Sequence, residues 1–177
     1  MANPAQGILA DFVPAPAALI TAERAAKFIL AGNAYFTVKS LKTGARYTYR
    51  VSRATCSRCK KDFCECWNYP TYFVALLTGP ENTADYTYLG MLRENKFQLT
   101  RASKMKDDST PVKAFRYVWA YLACNQLPPQ TEIWHEGRCG KCGRVLTVPE
   151  SVEAGIGPDC AGRMGPERES DMERARR

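Results

Sequence analysis

The residues best suited to chemistry in this chain are its thiols. The stretch Trp134-His135-Glu136-Gly137-Arg138-Cys139-Gly140-Lys141-Cys142-Gly143-Arg144 sets two cysteines two residues apart, each followed by glycine. Cys160 follows in Gly155-Ile156-Gly157-Pro158-Asp159-Cys160. Glycine lets the backbone turn tightly enough for both sulfurs to face one ion, which is the geometry of a zinc knuckle. Neither a disulfide nor a buried core thiol needs those glycines. Cys139, Cys142 and Cys160 are therefore expected as ligands. His135, the only histidine, is expected as the fourth, with Asp159 as an alternative oxygen donor. Four ligands close a structural site, whereas three leave a position open for water or substrate.

A second cluster lies upstream, in Cys56-Ser57-Arg58-Cys59-Lys60-Lys61-Asp62-Phe63-Cys64-Glu65-Cys66. Four thiols at this spacing are enough to enclose one ion, so Cys56, Cys59, Cys64 and Cys66 are expected as a second zinc site, and two ions per chain in all. Two rival readings are a redox pair at Cys56 and Cys59, whose thiol pKa values the nearby cations would lower, and a site completed by Cys124. Without metal this loop has no core of its own.

The stretch Trp134–Ala161, WHEGRCGKCGRVLTVPESVEAGIGPDCA, resembles DUF6011, a short cysteine-rich domain of unknown function found in many bacteriophage and bacterial proteins. FILAGNAYFTVKSLKTGARYTYRV at Phe28–Val51 and YFVALLTGPENTADYTYLG at Tyr72–Gly90 are similar to phrases of phage-encoded relatives. The resemblance implies a small phage protein but no activity, and the Cys56–Cys66 run is not a general feature of such proteins.

With 177 residues, 45% of them hydrophobic and 24% charged, the chain has enough apolar material for one core and a small metal-stapled appendage. Eight cysteines would mean disulfides in a secreted protein. The N-terminal residues lack a basic region and are broken by Pro14 and Pro16, so a reducing cytoplasm, that of the host cell if the chain is phage-encoded, is expected. No run of eighteen apolar residues is present to span a membrane. The net charge of +7 is unevenly spread. From Arg24 to Lys61 there is no acidic residue, while Lys39, Lys42, Arg46, Arg50, Arg53, Arg58, Lys60 and Lys61 are all basic. Such a segment suits a polyanion, and these eight residues are the expected nucleic-acid contacts.

The elements that must carry these groups can be read in order. Residues 1–20 are rich in Ala and Pro and expected to be ordered only where they dock. Thr21 caps a helix that ends at Gly32-Asn33. Strands at 35–38 and 46–51 flank the turn Lys42-Thr43-Gly44, with Arg46, Thr48 and Arg50 on one face and Tyr47, Tyr49 and Val51 on the other. Strands at 72–77, 86–92 and 96–100 complete a meander. Ser109 or Thr110 opens a helix whose Val112, Phe115, Val118, Trp119 and Leu122 form an apolar stripe. Cys124 at its end reads as a small buried hydrophobe. The expected fold is α+β: an antiparallel meander of about five strands covered by one main helix, with a Cys-rich loop inserted in the sheet and a small C-terminal zinc module. The boundaries are a core at 21–127 with its insert at 56–66, the module at 128–164 and a flexible charged tail at 165–177.

No catalytic constellation is present, because a single histidine assigned to metal leaves no base for a nucleophile. The paired cysteines lack the spacing of zinc deaminases, and no phosphate loop occurs. Two non-enzymatic readings remain. One is nucleic-acid binding through the basic hairpin and Cys-rich loop, with Tyr47, Trp67 or Tyr69 stacking on bases. The other is a protein-interaction module directed at a host partner such as a defence enzyme.

Overall fold

A computed structural model describes residues 17–56 and 70–164. Its organising element is a seven-stranded antiparallel sheet: β1 (Ala17–Ala18), β2 (Asn33–Ser40), β3 (Arg46–Arg53), β4 (Thr71–Leu77), β5 (Tyr86–Arg93), β6 (Lys96–Gln98) and β7 (Thr131–His135). Across the sheet the strands run β1-β7-β2-β3-β4-β5-β6. The expected five-strand meander is thus present in order, and two further strands extend its β2 edge.

Local chemistry accounts for the connections. Gly44 takes φ +72° between β2 and β3, and Glu94 and Asn95 both take positive φ in the two-residue turn between β5 and β6. Thr21 caps helix α1 (Ala22–Ile29) by accepting a hydrogen bond from the Arg24 N–H, with Glu23 in the first turn. Helix α2 (Thr110–Ala123) starts after Ser109 with Pro111 in its first turn.

One face of the sheet carries the core. Val112, Phe115, Val118, Trp119 and Leu122 of α2 are all buried, as their spacing predicts, together with Ala25, Phe28 and Ile29 of α1. They pack on Phe36, Val38, Tyr49, Val51, Val74, Leu76 and Ile133. Phe115 is the hub, its ring centroid 5.1 Å from Tyr49 and 4.8 Å from Phe97. The Trp119 indole donates to the Asn95 carbonyl and so ties α2 to the β5–β6 turn. Cys124, expected in the core, is exposed at the α2 C-cap, where the helix stripe has already turned away from the sheet.

β7 belongs to the sheet, pairing with β2 from Phe36↔His135 to Ser40↔Thr131 and with β1 on its other side. Of the N-terminal segment, Ala17 and Ala18 dock as β1, and the Leu19 N–H donates to the Ile133 carbonyl. Residues 1–16, the tail from 165 and most of the Cys56–Cys66 loop lie outside the described residues. No described helix is long and apolar enough to cross a membrane.

Candidate metal centre

β7 delivers the chain directly into the knuckle. Gly137 (φ +69°) turns it out of the sheet, and a single bridge pairs Arg138 with Val145. The Cys139 N–H donates to the Arg144 carbonyl and the Gly143 N–H to the Cys139 carbonyl. Gly143 takes φ +75°, a left-handed conformation costly for any residue with a Cβ, and this tightens the loop around Lys141. Helix α3 (Pro149–Ala154) follows and is stopped by Gly155 at φ +68°. Helix α4 (Pro158–Arg163) brings Cys160 back to the knuckle.

The result is a trio. The sulfurs of Cys139, Cys142 and Cys160 all lie within 4.8 Å of one another. Sulfurs bound tetrahedrally at about 2.3 Å from a zinc ion stand about 3.8 Å apart, so the spacing fits a shared ion with little rearrangement. Cys139 is buried, Cys160 half-buried and Cys142 exposed. Burial alone would push the Cys139 thiol up, but N–H groups of Gly157, Cys142 and Lys141, with the Cys142 thiol, hold it below its ordinary value. The Gly157 N–H lies 3.4 Å from its sulfur. Cys160 moves the other way, pushed up to about 12 first by burial and then by the Cys142 and Cys139 sulfurs. The two shifts thus run in opposite directions, and a cation bound among the sulfurs would favour the thiolate form of each.

His135 is not part of this group, contrary to expectation. Strand alternation sends Ile133 and His135 to the core side of β7, and both ring nitrogens are engaged there. Nδ1 accepts from the Gly137 N–H at 3.0 Å, which leaves Nε2–H to donate to the Val152 carbonyl at 2.6 Å. Its ring lies 5.2 Å from that of Phe28. His135 is therefore a latch between β7 and α3. Asp159, the alternative donor, is exposed and also outside the group, which among the described residues consists of the three cysteines. Of the second cluster only Cys56 is described, and it is buried; Cys59, Cys64 and Cys66 lie outside the described residues.

Burial holds the His135 pKa below its ordinary value, against the pull of the Val152 carbonyl. A depressed folded-state value means that the unfolded chain binds the proton more tightly. The latch's contribution is then complete above the ordinary value of about 6.5 and is lost as pH falls through the lower folded value. Stability should fall by up to about 1.4 kcal/mol per pH unit in that window. Acid also competes for metal-bound sulfur, so the control is His135→Gln. The difference between the two proteins' denaturation midpoints should shrink as pH drops from 7.5 to 5, and a constant difference would contradict the latch.

The module is packed, not appended. Ala31, Cys139, Leu146, Ile156 and Met164 form their own buried cluster. The Asn33 N–H donates to the Gly140 carbonyl and the Gly140 N–H to the Gly155 carbonyl. A Cβ on Gly140 would meet the Phe28 ring at 2.9 Å, and one on Gly155 would meet it at 2.5 Å. Both glycines are thus needed for close approach to α1.

The expected nucleic-acid contacts divide between the two sheet faces. Lys39, Arg46 and Arg50 share the open face opposite the helices, with Lys42 exposed in the adjoining turn. Lys39 is ion-paired with Glu132 at 2.9 Å. Arg53, by contrast, falls on the helix side, its guanidinium 5.8 Å from the Tyr72 ring centroid, because strand alternation separates it from Arg50. Tyr47, one of the expected stacking residues, packs against the core. Arg58, Lys60, Lys61, Trp67 and Tyr69 lie outside the described residues. The open face also carries Trp134, Tyr35, Phe73, Tyr86 and Tyr88. Their signal was aromatic residues in phase with the polar positions of each strand.

No curated protein and no solved structure matches the chain. The model of one family of unknown function, DUF6011, matches residues 132–165, from the second residue of β7 past the last cysteine of the trio. The three-cysteine module, together with the strand that anchors it, is a DUF6011 domain.

Proposed function

We propose that the chain is a zinc-stapled, non-catalytic protein of phage type that binds nucleic acid through the β2–β3 side of its sheet. The observation that carries this reading is the set of cations Lys42, Arg46 and Arg50, for which the described residues offer no carboxylate ion pair. Positive charge presented on a hairpin attracts phosphate, and of the three cations Arg46 also feels the Glu132 carboxylate. Zinc is the ion expected from clustered thiolates on a glycine-flanked knuckle, and its role is to give a small loop region a fixed shape. The sole histidine is occupied at both nitrogens, which supports a non-catalytic reading. Elemental analysis should return close to two zinc ions per chain if the Cys56–Cys66 loop also binds, and one if only the Cys139 centre does.

Binding is tested by titrating a labelled oligonucleotide at several salt concentrations. Each phosphate contact to a single strand steepens the plot of log affinity against log salt by about 0.7, so Lys42→Gln with Arg46→Gln should flatten it by about 1.4. Absence of binding to single strand or duplex at low salt would overturn the reading. A second reading, docking of a host protein, is favoured by Val145 and Val148, 36% and 50% exposed beside the knuckle. Capture from host lysate without nucleic-acid binding would support it instead.

A further inference from the structure

The open face of the sheet holds an arrangement that charge attraction alone does not require. Tyr35, Arg50, Ala75 and Tyr88 stand in one register row across β2, β3, β4 and β5, and Trp134, Thr37 and Thr48 stand in the next row. The centre of this face is therefore floored by small side chains, Thr37, Thr48 and Ala75, with aromatic rings around it. The two threonine hydroxyls hydrogen-bond to each other at 2.8 Å, so the floor is satisfied internally.

Two side chains close over that floor. Tyr35 on β2 and Tyr86 on β5 start three strand spacings apart, about 14 Å of backbone. Their ring centroids nevertheless meet edge to face at 5.6 Å. The Arg50 guanidinium lies 5.3 Å from the Tyr35 ring centroid. Phe73, 44% exposed, continues the aromatic surface with its ring 6.1 Å from Tyr88. Within this cluster the Arg50 Nε and the Tyr86 hydroxyl are buried and have no hydrogen-bond partner. Buried donors are rarely left unpaired, so both have a hydrogen bond to gain from an acceptor admitted to the cluster when its side chains part.

We infer that this face is a stacking platform for single-stranded nucleic acid, with one nucleotide seated at Tyr35, Arg50 and Tyr86 and neighbouring bases carried by Phe73 and Tyr88. A nucleotide matches all three features: a flat ring to lie on aromatic faces, acceptor atoms for the Arg50 Nε–H and the Tyr86 O–H, and a phosphate for the nearby cations. A duplex hides its base faces and gains only the electrostatic part. The inference rests on the nucleic-acid reading above and adds to it the strand state and the contact residues.

The experiment is fluorescence anisotropy with three labelled probes of equal length: an oligothymidine, its abasic counterpart and a duplex. Wild type, Tyr86→Phe, Phe73→Ala and Lys42→Gln/Arg46→Gln are compared, each checked for a native circular dichroism spectrum. Oligothymidine should bind more tightly than the abasic strand by at least about 5-fold, the lower end of the range for a single stacked base. Phe73→Ala should weaken oligothymidine binding at least about 5-fold, and Tyr86→Phe, which deletes only the orphaned hydroxyl, about 2- to 12-fold; both should leave abasic binding unchanged. Equal affinity for all three probes, or platform variants that bind oligothymidine like wild type while the Lys42/Arg46 pair weakens it, would overturn the platform and leave the general nucleic-acid reading intact. No binding of any probe at low salt would overturn both.

Discussion

Chelating the ion from the Cys139 centre should lower the unfolding midpoint of the whole chain by about 10–20 °C, in one transition. Structural zinc contributes about 10–16 kcal/mol of apparent binding energy in isolated zinc-finger peptides. Here part of the module's order comes from other packing, so a loss of about 5 kcal/mol is the reasonable scale, at about 2–4 °C per kcal/mol for a chain of this size. The single transition follows from connectivity. β7 runs straight into the knuckle, holds β1 on its outer side and pairs over five residues with β2. The cluster of Ala31, Cys139, Leu146, Ile156 and Met164 joins the module to the end of α1. Loosening the cysteine loop therefore frays the sheet edge as well. Scanning calorimetry with and without chelator checks this, and Cys142→Ser, at an exposed position where loss of packing is small, should reproduce the shift. Two separate transitions, with the upper one unmoved, would mean that the module melts by itself.

Phe28→Ala carries the second largest expected effect, a loss of about 3–5 kcal/mol. Phe28 is 1% exposed and is the wedge between helix, sheet and module. Its ring faces His135 at 5.2 Å, and both Gly140 and Gly155 approach it so closely that neither has room for a Cβ. Truncation would leave a cavity walled by rigid backbone from the knuckle, which cannot collapse inward without moving Cys139. The variant should therefore lose metal to a competing chelator faster than wild type, besides unfolding at lower denaturant. Phe28→Leu, which keeps most of the volume, should lie between the two proteins on both measures. A stable Phe28→Ala protein with undiminished metal retention would show that the module does not depend on α1.

Much of this architecture was legible because local and global preferences agree. Tyr47, Tyr49 and Val51 alternate with Thr48 and Arg50, and the burial of β3 follows that alternation. The α2 stripe and the glycine-flanked cysteines behave as their spacing suggests. β7 was not legible for a specific reason. Thr131-Glu132-Ile133-Trp134-His135 has period-two alternation, but it lies between Pro128-Pro129 and a knuckle, so it reads as a linker carrying a ligand. Only long-range pairing with β2 makes it a strand, and once it is one, His135 must face the core and Trp134 the open face. β1 is two residues long and has no pattern to detect. The Tyr35 and Tyr86 contact likewise joins strands with β3 and β4 between them, and no local signal places those rings together.

The most direct test of the central claim, that three cysteine sulfurs share one ion and thereby shape the module, is X-ray absorption at the zinc edge on protein purified without chelator. To isolate the Cys139 centre, it is recorded for a variant with Cys56, Cys59, Cys64 and Cys66 replaced by serine. The expected result is close to one zinc per chain with at least three sulfurs at about 2.3 Å. Protein without bound metal, or with Cys139 and Cys142 joined as a disulfide, would contradict it.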